Sequence, residues 1–114
     1  MKRARAGEAG AGSVLAVGIL GATFTLTVVL LPLLAALAVN QSVQNAADAA
    51  ALAAADTVSG LVAGYPCQAA AEAARLNGAS ASGCAVDGLI ATVGVRRRFL
   101  VFDLAAEARA GPPP

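Results

Sequence analysis

Histidine and tryptophan are absent from this chain of 114 residues, aromatics make up 4% of it, and charged residues only 13%. Without histidine, a general base would have to be a carboxylate, a lysine or a tyrosine. The sole lysine, Lys2, sits in the N-terminal head, and the sole tyrosine, Tyr65, stands between a glycine and a proline. Asp48 and Asp56 fall two helical turns apart on nearly one face, but in an alanine run without the bulk to shape a pocket. No enzyme is expected, and no small-molecule substrate. Two cysteines without histidine cannot complete a metal shell, and they lack the C-x-x-C spacing of a redox pair, so no cofactor is expected. A nucleic-acid surface would need basic residues interleaved with aromatics; only Arg96, Arg97 and Arg98 come near that, and no nucleic-acid partner is expected.

What the chain has in abundance is apolar residues, 58% in all, concentrated first in one run. From Val14 to Val39 there is no ionisable side chain over roughly 26 residues, which as a helix would extend ~39 Å, more than the ~30 Å hydrocarbon layer of a bilayer. Its leucines, valines, Ile19 and Phe24 favour insertion by about 0.3–0.6 kcal/mol each near the bilayer centre. Thr23, Thr25 and Thr27 can return their hydroxyls to the preceding turn, and Pro32 is expected to kink the helix. The head before Ser13 carries Lys2, Arg3 and Arg5 against Glu8, while no Lys or Arg follows Val39 for roughly 20 residues. The positive-inside rule therefore places residues 1–12 in the cytoplasm and the rest outside. A cleaved signal peptide is the rival: Ala36-Leu37-Ala38 forms an A-x-A site, but the apolar core is far longer than the usual ~7–15 residues.

From Asn40 to Val58 there is neither proline nor glycine, and alanine, the best helix former, dominates. One helix is predicted over 13–60, transmembrane at 14–39 and membrane-proximal at 40–60, with Gly60 as its stop. Gly18 and Ala22, then Ala46, Ala50 and Ala54, set small residues four apart, where another helix backbone can approach closely. Gln41, Asn45, Asp48 and Leu52 form a neighbouring stripe. Helix-to-helix packing is the expected use of this segment.

The stretch Gln44-Asn45-Ala46-Ala47-Asp48-Ala49-Ala50-Ala51-Leu52-Ala53-Ala54-Ala55, behind an apolar helix, resembles the membrane-proximal signature of TadE/TadG-like proteins, pseudopilins of tight-adherence (Flp-type) pilus systems. Leu76-Asn77-Gly78-Ala79, Cys84, Val86-Asp87-Gly88 and Ala108-Arg109-Ala110-Gly111-Pro112 are similar to a narrower actinobacterial TadE-like group of the helicase/secretion neighbourhood. The resemblance implies a minor pilin or assembly component of a type IV pilus or secretion system. Its long helix would lie among other pilin or pseudopilin subunits and a membrane assembly platform. It also implies cleavage by a prepilin peptidase after a glycine heading the apolar run, with Gly12 before Ser13 the best match and Gly10 the second. Pilins commonly carry a glutamate five residues into the mature chain; here Val17 or Leu15 stands there, and Glu8 precedes both sites. Processing, and filament incorporation as against an assembly role, are therefore left open.

Residues 61–110 are expected to form a small extracytoplasmic domain. An even cysteine pair in that setting reads as a disulfide, Cys67 to Cys84, stabilising by roughly 3 kcal/mol on the chain-entropy model. Pro66 to Asn77 reads as a helix with Gly78 beyond its end. Leu89, Ala91, Val93 and Val95 alternate with Ile90, Thr92, Gly94 and Arg96 as in a half-buried strand. Phe99 to Leu104 reads as a second strand carrying the best core residues, with Arg96 to Arg98 at the turn or an exposed edge. Residues 111–114 are expected to be a stiff, unfolded tail. The expected class is α+β: a long pilin-like transmembrane helix, then a disulfide-stapled helix and an antiparallel hairpin. Three functions follow: a pilin-like structural subunit, a small disulfide-bonded protein secreted after cleavage behind Ala38, or a bitopic regulator of a larger complex.

Overall fold

Alanine, leucine and valine with few breakers carry one helix, α1, over Lys2–Val58, 57 residues in length. The computed structural model describes residues 2–113, with side chains from residue 10 onward. Met1, Pro114 and the side chains of the basic head (Lys2, Arg3, Arg5) and of Glu8 lie outside the described residues. The helix starts well before Ser13, because Lys, Arg and Ala are good helix formers and a growing helix gains a hydrogen bond per residue. It runs unbroken through Pro32. Its end is a Schellman arrangement: Gly60 N–H donates to Thr57 O (3.2 Å), Leu61 N–H donates to Asp56 O (3.0 Å), and Gly60 takes φ +85°.

The chain divides into two units, Met1–Ala35 and Ala36–Pro114. Over its described residues the first is helix alone. The second holds the remainder of α1, the helix α2 (Pro66–Leu76) and three strands, β1 (Ser80–Asp87), β2 (Ile90–Phe99) and β3 (Phe102–Ala110). The fold is α+β. Proline at the first turn opens α2, and Asn77 closes it by donating its Nδ2 to Ala73 O (2.8 Å), with Gly78 at φ +77°. The sheet is antiparallel in the order β1-β2-β3, with a register shift between Ala81 and Gly83.

Three strands replace the expected hairpin. β1 escapes a pattern search because Ser80, Ala81, Ser82 and Gly83 are small and poor strand formers. Arg96, Arg97 and Arg98 do not turn; they continue β2, opposite Ala105, Leu104 and Asp103. The turn falls at Leu100 and Val101, and β3 runs on to Ala110, its inward positions being Leu104, Ala106, Ala108 and Ala110. Nor are Leu100 to Phe102 core residues: they stand exposed. The core is built of alanine and valine, with Val43, Val93 and Val95 its largest fully buried side chains. Beyond β3, residues 111–113 take no helix or strand, and Gly111 passes so close to the start of β2 that a Cβ there would lie 2.9 Å from Leu89 O.

Candidate functional site

The second unit closes around one face of α1. Val43, Ala46, Ala47, Ala50, Ala51 and Ala54 recur three and four apart, and each is at most 1% exposed. They share a core with Ala70 and Ala74 of α2 and with Ala91, Val93 and Val95 of β2. Methyl side chains on facing surfaces let backbones draw near, so the packing is close without any large side chain. The row Ala46, Ala50 and Ala54, expected to receive another helix, is thus covered by the chain's own α2 and sheet. A small residue suits any close neighbour, and its pattern does not say which.

Polar contacts at the margin of this face fix how the strands lie along α1. Arg97 donates from its guanidinium to Ser42 Oγ (3.0 Å), and Gln44 Nε2 points to Glu107 O (3.4 Å) and Asp48 Oδ1 (3.3 Å). Nothing in the spacing of the sequence announces the Ser42–Arg97 pair, which spans 55 positions. Cys67, in the first turn of α2, is bonded to Cys84, in the middle of β1, with 5.8 Å between the Cα atoms. The staple holds α2 on the sheet, and Cys84 packs against the core.

Outside the buried face, Asn45, Asp48 and Leu52 remain exposed, as does Gln41, whose Nε2 donates to Asn45 Oδ1 (3.2 Å). In the first unit, Gly18 and Ala22 are exposed, and nothing lies within 4 Å of a Cβ built at Gly18. Gly12 and Ser13, the expected processing junction, lie inside α1 and are equally open. A cavity of about 240 Å³ lies between the last turns of α1 and the Gly111–Pro112 segment, lined by Leu52, Ala55, Asp56, Ser59 and Leu89 among others. Its one carboxylate, Asp56, has no basic group beside it, and the Ser59 hydroxyl donates to Asp56 O (3.0 Å). Among the described residues there is no cluster of three or more His, Cys, Asp or Glu side chains that would hold a metal. Glu72 and Arg75 pair on the outer face of α2 at 2.6 Å; the hydrogen bond from Arg75, and then its charge, hold the Glu72 carboxyl below its ordinary range.

The first unit presents a different surface. Within Gly10–Val58 lies a segment long and apolar enough to cross a membrane, and none of it is covered by the rest of the chain. In comparisons with known proteins, no family model, no curated protein and no solved structure matches this chain.

Proposed function

We propose that this chain is a single-pass membrane subunit of a pilus-like or secretion assembly, built as the TadE/TadG-like resemblance implies. Its N-terminus lies in the cytoplasm and its disulfide-stapled domain outside the cell membrane. One observation carries the reading. The helix exposes large apolar side chains all round, among them Leu20 (69%), Leu26 (59%) and Leu34 (58%), so an apolar solvent or neighbouring helices must cover them. The Cys67–Cys84 bond supports an oxidising, extracytoplasmic setting for the folded unit. Because Ala46, Ala50 and Ala54 are already used within the chain, contact with sister subunits falls to Gly18 and Ala22 in the apolar stretch and to the exposed stripe of Gln41, Asn45, Asp48 and Leu52. The role is structural.

A second reading has one observation in its favour. The core begins at Val39, the residue after Ala38, so a cut behind Ala38 would release the folded unit with nothing missing from its core. Intact mass and N-terminal sequence of the membrane-extracted protein, with and without reductant, separate the possibilities. Loss of residues 1–12 supports prepilin-type processing. An uncut chain recovered with a stoichiometric partner supports the bitopic regulator. A product that begins at Val39 removes the membrane subunit from consideration.

A further inference from the structure

The chain makes a two-residue hairpin turn twice, with opposite chemistry. Between β1 and β2, Gly88 and Leu89 link Asp87 to its partner Ile90, and Gly88 takes φ +61°. Between β2 and β3, Leu100 and Val101 link Phe99 to its partner Phe102, and Leu100 takes φ +55°. A first turn residue with positive φ is ordinarily glycine, because a Cβ there crowds the following carbonyl. Leucine at that place stores strain that a glycine would relieve, and such strain marks segments kept for something other than stability. What the turn gains is grease: Leu100 is 73% exposed, Val101 86% and Phe102 56%.

Charge surrounds that apolar tip on the strand leading to it. Arg96 and Arg98 are exposed on the outer side of β2, while Arg97 is tied to Ser42. Asp103 sits across from Arg98 and lies 3.9 Å from Arg96, so two arginines face one carboxylate. Position completes the picture. Leu89 and Gly111 share a cavity with Leu52, Asp56 and Ser59, whereas Arg97 meets Ser42, so β2 runs opposite in direction to α1. At ~3.3 Å per residue, the turn lies about 10 Å past Arg97, toward the Ala36 end of the folded unit. That is the end where the unit continues into the apolar run. A bilayer needs about 20 residues of that run; counted from Val14 they reach Leu33, which leaves Ala36 to Val39 beside the domain.

We propose that the β2–β3 turn dips into the headgroup region of the bilayer that α1 crosses, with Leu100, Val101 and Phe102 among the upper acyl chains and Arg96 and Arg98 on lipid phosphates. The partner is an anionic phospholipid surface: the tip is apolar, its flank basic, and its place at the Ala36 end of the folded unit. The proposal rests on the membrane-spanning reading of α1.

The absence of tryptophan supplies the test. Full-length Val101→Trp, Val86→Trp and Phe24→Trp, each with its disulfide verified by mass, are reconstituted into phosphatidylcholine vesicles with and without phosphatidylglycerol and probed with bromine-labelled acyl chains. Phe24→Trp is expected to lose most of its emission in both lipids. Val101→Trp is expected to be blue-shifted and quenched, more strongly when the anionic lipid is present, and to lose that increment with Arg96→Gln and Arg98→Gln. Val86→Trp, beside the opposite turn, is expected to stay unquenched. If Phe24→Trp is quenched while Val101→Trp behaves like Val86→Trp, the turn does not enter lipid. A Val101→Trp shielded from aqueous quencher but not reached by bromine points to a protein neighbour and equally overturns the proposal. An unquenched Phe24→Trp instead sinks the membrane-spanning reading itself, a different signature.

Discussion

The same helix carries two kinds of apolar surface, and residue size separates them. In the first unit the apolar side chains are large and point everywhere: Leu15, Val17, Leu20, Leu26 and Leu34 are all more than half exposed. In the second unit the buried apolar positions of α1 are one valine and five alanines on a single face, sharing a core with α2 and the sheet. Large apolar residues on every side, over this length, make a helix that could cross a membrane. Small residues on one side call for a close solid neighbour, since their value lies in letting backbones approach. Hydropathy alone would join the two regions into one greasy helix. Volume and periodicity divide them near Ala36.

The sharpest way to break this comparison is to place charge in the first region. Leu26→Arg with Leu30→Arg loses two apolar contributions and adds two central arginines, a combined insertion penalty of about 6–8 kcal/mol. The double variant is expected to leave the membrane fraction on carbonate extraction, while its Cys67–Cys84 bond still forms. Retention in the membrane would show that the exposed leucines are not what holds it there.

The folded unit should respond to other insults. Cys67→Ser removes the staple between α2 and β1 and is expected to cost about 3 kcal/mol, within a range of about 2–5, read as a lowered thermal midpoint in detergent. Ala50→Leu is the converse of the arginine test, since it makes the chain more apolar. Ala50 is 0% exposed, so the extra carbons overpack the core it shares with α2 and the sheet, at a cost of about 1–3 kcal/mol. Membrane extraction should be unchanged. Leu100→Gly goes the other way: relief at φ +55°, less the entropy glycine gives up on folding, should stabilise the unit by about 0.5–1 kcal/mol.

These contrasts also explain what could be read from the chain before its structure. The end of α1 at Gly60, the start of α2 at Pro66 and its stop at Asn77–Gly78 are written in residues whose backbone preferences are local. The inward set Ala91, Val93 and Val95 follows from a clean alternation. The outcome differs where the local signal is weak or points the wrong way. β1 is made of small residues with little strand preference, and β3 hides its alternation among alanines that read as helix formers. Leu100 to Phe102 look like core because they are an unbroken apolar run, yet they stand exposed at and beside a turn. Three arginines look like a turn because charge favours surfaces, but Arg96 and Arg98 point outward from a strand while Arg97 reaches Ser42. The destination of the alanine row was the hardest to read, because a methyl group fits a foreign helix and the chain's own sheet equally well.

The gentlest test removes charge from the solvent-facing side of the folded unit. Glu72 and Arg75 sit on the outer face of α2, three residues apart, with Ala70 and Ala74 turned inward. The hydrogen bond from Arg75 lowers the Glu72 carboxyl below its ordinary value, so the folded state binds its proton less readily than the unfolded chain. The sign follows: the pair's contribution is present above the unfolded carboxylate range and fades as pH falls through the depressed folded value. Arg75 moves upward and stays charged throughout. Because both side chains are open to water, the effect on stability should be slight and weakened further by salt. The titration itself is easier to see. Following the Glu72 side-chain carbon by NMR, Arg75→Gln should return its midpoint to the ordinary glutamate range, with no loss of helix and no change in membrane extraction. If instead that exposed pair proved as costly to disturb as a leucine of the first region, solvent would not be what distinguishes the two surfaces, and the division near Ala36 would need another cause.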